Sequence, residues 1–243
     1  MYHPASEQIS FASDFPNDTG KYHIIKCIEK CRTQPGIWAA SGNACVVHLQ
    51  HESMKMKCIQ EIRIPDACQV RVLHEDDQGN LWIGTENAIY QYSISDGNMR
   101  RIHKDTGAIN GIAISPDKAI YYITETPEFS CLPPDGQVHS IHKGENYSSI
   151  IISPDNKIWT ATLEGNVYSY HPQLQTLARE DNACNANGDA VKSMTVDNLG
   201  HLWILADQYV KEYNPKNHSF RILYNSDRFI QVDYFLSIGK IEN

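Results

Sequence analysis

The chain has 243 residues, a net charge of −8 and 41% hydrophobic residues, which suits one large folded domain or two small ones. The acidic balance excludes nucleic acid as a partner, because phosphate contacts need a clustered basic face. No apolar run approaches the ~20 residues needed to cross a bilayer as a helix, so no membrane-spanning segment is expected.

Met1 to Phe15 lacks the basic and apolar regions of a signal peptide. The seven cysteines are odd in number and scattered, and only Cys27 and Cys31 lie close together, without partners at zinc-finger spacing. They read as small apolar residues in strands.

A repeat dominates the sequence. Trp38, Trp82, Trp159 and Trp203 each follow an apolar residue, and Tyr121 takes the same place after Ile120. The steps between these five positions are 44, 39, 38 and 44 residues. A period near 40 with turn residues inside each unit marks a repeat architecture.

In chain order, Ile9 to Phe11 is a lone strand candidate and Asn17 to Gly20 a turn. The first unit spans 22–62, with strands over Tyr22–Ile28, Ile37–Ala40, Cys45–Leu49 and Lys57–Ile62, and a turn at Ser41–Asn43. The second, 70–103, is the most regular, and its Asp77-Gln78-Gly79-Asn80 turn needs the positive φ that glycine supplies. The third, 111–142, shows strands at Gly111–Ser115 and Ile120–Thr124, then Glu125–Pro134 as an insertion before Gln137–His142 closes the unit. The fourth, 149–179, and fifth, 191–224, repeat the layout, and Phe229–Ile238 starts a sixth. Four short strands per unit predict an all-β fold, a β-propeller of four-stranded blades. Five blades are visible, and the leftover strand at each end favours a part of a larger propeller over five blades with irregular closure.

The repeated Trp residues sit between apolar neighbours, which predicts packing between blades rather than stacking on sugars. Asp76, Asp77, Asp117, Asp155 and Asp197 lie in separate turns and are expected to stabilise those turns, not to converge on calcium. No HExxH, nucleophile elbow or phosphate loop is present. No catalytic residue, metal or cofactor is therefore expected. In a propeller, the loops from second to third strand and those between blades share one end of the scaffold, where binding residues concentrate. The second-to-third-strand loops hold Glu86, Asn87, Glu125, Glu164 and Asp207; the interblade loops hold Asp105, Asn110, Asn146, Tyr147, Asn185 and Asp189. Arg71 and Lys192 each stand eleven residues before a Trp. The candidate ligand-binding set is Arg71, Glu86, Asn110, Glu125, Tyr147, Glu164, Asp189, Lys192 and Asp207.

The motif Asp-x-x-Gly-Asn-Leu-Trp-Ile-Gly-Thr at Asp76–Thr85, continued by Ile89-Tyr90-Gln91-Tyr92, resembles the two-component regulator propeller repeat. Asp197–Ile204 and Asp155–Tyr170 follow it, whereas the third unit has Tyr121 for Trp and the first lacks the Asp and Asn of the turn. The resemblance implies the periplasmic sensor region of bacterial hybrid histidine kinases, which usually combine two propellers, a β-sandwich, a membrane helix and a kinase. It implies a non-catalytic domain that senses an oligosaccharide or another small molecule, with a homodimer or a neighbouring propeller domain as partner. A chain complete as given would instead be cytoplasmic. Streptogramin-lyase-like propellers carry similar repeats, so a propeller enzyme is one alternative and a protein-interaction scaffold is another.

Overall fold

The computed structural model describes residues 2–3, 8–9, 25–41, 44–52, 55–104, 106–184 and 188–225. The expected sixth unit at Phe229–Ile238, the turns at Asn17–Gly20 and Gly42–Asn43, most of the Ile9–Phe11 strand and the start of the Tyr22–Ile28 strand lie outside these residues. The described residues form an all-β propeller fold of five blades, each of four antiparallel strands in sequence order. A short pair, β1 (Tyr2–His3) and β2 (Gln8–Ile9), precedes them.

Two compact units divide the chain, Met1–Thr106 and Gly107–Asn243. The first unit holds blade one, β3 (Ile25–Lys30), β4 (Ile37–Ser41), β5 (Cys45–Glu52) and β6 (Lys55–Arg63), and blade two, β7 (Val70–Glu75), β8 (Asn80–Thr85), β9 (Ala88–Ser93) and β10 (Met99–Lys104). The second unit holds three blades. Blade three is β11 (Ile109–Ile114), β12 (Ile120–Thr124), β13 (Glu128–Leu132) and β14 (His139–Lys143). Blade four is β15 (Tyr147–Ile152), β16 (Ile158–Thr162), β17 (Val167–His171) and β18 (Thr176–Arg179). Blade five is β19 (Val191–Val196), β20 (Leu202–Ala206), β21 (Tyr209–Asn214) and β22 (Ser219–Asn225). Glu125–Pro134 is not an insertion. It contains β13, whose Phe129 and Cys131 are buried, and the residues read as the blade's close are its outer strand. Pro127, Pro133 and Pro134 bracket that short strand and mask its alternation in the sequence.

Each second strand is buried on both faces, and in blades one, three and four the repeated aromatic faces the blade that follows. Trp38 is fully buried in one cluster with Leu81, Ile83, Tyr90 and Tyr92 of blade two. In the second unit Tyr121 meets Tyr170 of blade four at 6.1 Å between ring centroids, and Trp159 meets Tyr213 of blade five edge-on at 6.3 Å. Burial of such large rings is the main cohesive term between blades.

The turn before each second strand holds the Trp in place. Asp76 Oδ1 accepts hydrogen bonds from Gln78 N and Asn80 N at 3.0 and 2.9 Å, and Oδ2 accepts the Trp82 indole N–H at 2.9 Å. Asp197 repeats this with Leu199 N, His201 N and the Trp203 indole at 2.8, 2.9 and 3.1 Å. Ser153 Oγ accepts the Trp159 indole at 3.1 Å. The residue three before the aromatic is left-handed in four blades: Gly79 at φ 78°, Lys118 at 69°, Asn156 at 64° and Gly200 at 83°. Blade one has Arg32 where the others have Asp or Ser, and a guanidinium cannot accept a hydrogen bond. Glu75 of blade two takes over: fully buried, it accepts the Trp38 indole at 2.6 Å and the Thr33 N–H and hydroxyl at 2.8 and 2.5 Å.

Removing that acceptor strands the buried Trp38 indole N–H, at about 1–3 kcal/mol, whereas Thr33 is exposed and its two donors can turn to water. Glu75→Ala is expected to lower stability by roughly 1–3 kcal/mol, read as a shifted urea midpoint. An unchanged midpoint would disprove the role. A second expectation concerns acid. Burial tends to raise the Asp76 and Asp197 carboxyls, but their hydrogen bonds to the backbone and to the indoles outweigh it and hold both below the ordinary carboxylate value. Their stabilisation is therefore present above the unfolded pKa of about 4 and is lost as pH falls through the lower folded values. The D76N/D197N variant should be less stable than the parent at pH 7. It should converge with the parent in denaturation midpoint as pH drops below about 4.

Candidate functional site

The first strand of every blade carries a break in its pairing at the same place. The register shifts between Ile25 and Cys27, Val70 and Val72, Ile109 and Gly111, Tyr147 and Ser149, and Val191 and Ser193. One residue is extruded each time: Lys26, Arg71, Asn110, Ser148 and Lys192. A bulge of this kind leaves its residue outside the ladder and re-aims its side chain. Lys26, Arg71 and Lys192 are exposed, and Asn110 and Ser148 are half-buried. In the second unit β11 lies beside β15 and β15 beside β19, so Asn110, Ser148 and Lys192 stand on three neighbouring first strands. In the first unit β3 lies beside β7, which places Lys26 and Arg71 on neighbouring strands.

Next to the bulge, a backbone clamp ties each second-to-third-strand loop of the second unit to the start of its own blade. Glu125 N donates to Ala108 O at 2.8 Å, Leu163 N to Asn146 O at 2.9 Å and Asp207 N to Ala190 O at 3.2 Å. A threonine at the end of the second strand closes the loop from inside. Thr85 Oγ1 accepts Ala88 N at 3.1 Å and donates to Ala88 O at 3.0 Å, while Thr162 Oγ1 accepts Asn166 N at 3.1 Å. The Thr of the Ile-Gly-Thr motif is thus a loop fastener.

The clamped loops bring several expected site residues together. Lys192 Nζ, on the β19 bulge, meets Asp207 Oδ1 at 3.0 Å. Asn146 Nδ2 donates to Glu164 Oε1 at 2.5 Å. Glu125 is exposed at the corresponding loop of blade three, whose bulge holds Asn110. Glu86 is exposed in the β8–β9 loop, beside Asn87, which takes the Cys68 thiol at 3.2 Å through Oδ1 and the Thr106 N–H at 3.3 Å through its carbonyl. Asp189 is half-buried, and its charge adds to the burial that pushes the Tyr209 phenol up.

Tyr147 does not join them. It is the residue before the β15 bulge, its ring is buried edge-on against Phe129 at 6.0 Å, and its hydroxyl sits 2.5 Å from His142 Nδ1. Burial pushes its phenol up, as expected of a core tyrosine. Asp105 and Asn185 lie outside the described residues. Ser148 and Lys26 were missed in the sequence. Ser148, like Asn110, stands at the same eleven-residue spacing that singled out Arg71 and Lys192, whereas Lys26 is displaced by one because the blade-one turn is longer.

The arrangement is a set of amides, carboxylates, a serine and a lysine held on rigid backbone. Such groups donate to and accept from ligand hydroxyls. The thiols whose pKa values are displaced are pushed up by burial, Cys27 and Cys31 to about 12 and Cys131 to about 11, which keeps them protonated and inert. No helix among the described residues is long and apolar enough to cross a membrane.

Comparison with known proteins places these features. Residues 64–87, which contain β7, β8 and the Asp76 turn, match the family described as two component regulator propeller. No curated protein matches the chain. The extracellular domain of the hybrid two component system BT4673 from B. thetaiotaomicron superposes with a TM-score of 0.70 at 17% identity, over 91% of this chain and 30% of that one. The corresponding domain of BT3049 from the same organism gives 0.68 at 17% identity, over 88% and 30%. A chain of a nidogen/laminin complex gives 0.61 at 18%, over 77% of each. At these identities the likeness is one of fold, and the chain spans about 30% of the length of the two extracellular domains.

Proposed function

We propose that this chain, whose residues 64–87 match the two component regulator propeller family, is a non-catalytic sensor domain of a bacterial two-component signalling protein. It works outside the cytoplasm, as part of a larger propeller assembly, and takes an oligosaccharide or another small polar ligand on the loop end of its blades. The observation that carries the reading is the repeated bulge with its adjacent clamp. Identical backbone geometry in successive blades presents different polar side chains at equivalent positions, a scaffold suited to recognition by hydrogen bonding. The likeness to extracellular domains of hybrid two component systems supports the signalling context. Asn110, Ser148 and Lys192 with Glu125, Asn146, Glu164 and Asp207 form the ligand face of the second unit; Arg71 and Glu86 serve the first. Ligand binding then biases the arrangement of this domain against a neighbouring propeller or a second copy of the chain.

The test is a thermal-shift screen of neutral oligosaccharides, followed by calorimetry on the best compound. Lys192→Ala and Asn146→Ala should each weaken binding by roughly tenfold or more, the worth of one charge-assisted or well-placed hydrogen bond. Neither should shift the melting temperature of the unliganded chain by more than about 2 °C, because both side chains are on the loop surface. Conversion of a bound compound into product would refute the non-catalytic reading. Absence of any small-molecule stabilisation, with capture of a stable protein partner, would replace the sensor reading with that of an interaction scaffold.

A further inference from the structure

Blade five carries a second cluster, at the opposite end of β20 from the loops described above. Asp197, His201 and Glu212 each offer one ligand atom, and these atoms lie within 4.8 Å of one another. His201 Nδ1 is 2.9 Å from Glu212 Oε1 and 3.6 Å from Asp197 Oδ2. The three side chains are partly buried, at 20% exposure for His201, 29% for Asp197 and 12% for Glu212. An ion bound tetrahedrally at ~2.0–2.1 Å spaces its ligand atoms about 3.3 Å apart, so the two measured separations bracket that value.

The repeat supplies an internal control that points to the same atoms. Blade two has the same turn and the same pairing: Asp76 for Asp197, Asn80 for His201, Trp82 for Trp203 and Gln91 for Glu212. The carboxylate geometry is shared, with each Asp holding two backbone N–H groups and one indole. The strand beyond is shared too. Arg100 donates to Gln91 Oε1 at 2.8 Å, and Arg221 bonds Glu212 Oε2. The turn and the Trp anchor therefore do not need a histidine or a second carboxylate, since blade two folds with two amides. Blade five differs at both positions, and both changes replace a weak metal ligand by a strong one. Each remaining carboxylate oxygen keeps a lone pair, because the Trp203 indole occupies only one on Asp197 Oδ2 and Arg221 engages the other oxygen of Glu212.

We propose that Asp197, His201 and Glu212 form a binding site for a divalent transition-metal ion of the zinc class. His201 binds through Nδ1 as the neutral ring, Asp197 through Oδ2 and Glu212 through Oε1, with water in the fourth position. Arg221 and the Trp203 indole orient the two carboxylates, as outer partners orient ligands in metal sites. Three ligands drawn from the turn, β20's approach and β21 would pin the outer half of blade five to its inner half. This site is independent of the loop face and does not rest on its ligand.

The experiment titrates the EDTA-treated full chain with Zn2+ by calorimetry and with Co2+ by visible absorption. One site per chain is expected, with a Co2+ spectrum of low-symmetry, four- or five-coordinate character. The variant H201N/E212Q installs the residue pair of blade two and should fold with an unchanged metal-free melting temperature. It should weaken Zn2+ binding by more than about tenfold and remove the Co2+ absorption. The converse variant, N80H/Q91E, should create a second site and raise the stoichiometry to two. Absence of Zn2+ binding in the parent would overturn the proposal. So would equal binding by parent and H201N/E212Q, which would assign the ion to other histidines.

Discussion

The hydrogen bond between a tryptophan indole and an acceptor in the preceding turn is the interaction on which this structure depends. It fixes the rotamer of the largest side chain in the blade, and in blades one and four that side chain is the surface the next blade packs on. Position and cohesion are thus set by one contact, repeated. Its necessity is clearest where the pattern fails. Arg32 occupies the acceptor position in blade one, and the indole of Trp38 still finds a carboxylate, now Glu75 reaching from blade two. Arg32 itself turns outward to Asp77 at 3.1 Å. A buried N–H without an acceptor costs more than the hydrogen bond is worth when made, so the acceptor is retained even when the residue supplying it changes blade.

A second constraint follows from the first. A second strand held on both faces has little freedom, so irregularity is displaced to its neighbours. The bulge falls on the first strand in all five blades, one residue from its start. In the second unit the loop that follows the second strand is fastened beside that same place by a backbone hydrogen bond, and in blades two, three and four a threonine hydroxyl closes the loop on itself. The result is a rigid end whose side chains vary freely, because neither bulge nor clamp uses them. Lys192 with Asp207 decorates this geometry at the bulge of blade five, and Asn146 with Glu164 decorates it at the clamp of blade four.

Most of the fold was legible because its signals are local. A Trp in an apolar pair, a turn with Asp and Gly, and a period near 40 residues each rest on neighbours in sequence. The blade-three strand Glu128–Leu132 escaped because prolines surround it and its five residues show too little alternation to stand out. The bulge was visible only as a coincidence of spacing at Arg71 and Lys192. Pairing register is a property of two strands, and one strand read alone does not display it. Tyr147 was misplaced for the same reason: one residue of offset across a bulge separates the loop surface from the core. The Asp197–His201–Glu212 cluster was invisible in sequence because Glu212 reaches it across the β20–β21 ladder, through the pairing of Trp203 with Glu212.

Repeats that share a backbone make each other's exceptions informative. The third strand places a tyrosine beside the residue after Trp in blades two and four, Tyr90 and Tyr168, and a lysine there in blade five. Lys211 is buried, donates to the carbonyls of Ala183 and Cys184 at 3.2 and 2.8 Å, and lies 4.7 Å from the centroid of the Phe220 ring. Burial pushes its amine down, a cost offset by those two carbonyls and the ring face. That substitution has a structural reading, because every donor direction it adds ends on an acceptor or a ring of the same blade interface. The exchange of Asn80 and Gln91 for His201 and Glu212 adds a His201–Glu212 hydrogen bond at 2.9 Å, but the fold does not need it, since in blade two Asp76 already holds the turn and the indole and Gln91 already accepts the arginine. Residues that the fold does not require, converging on one point, are where a function separate from the loop face is to be sought.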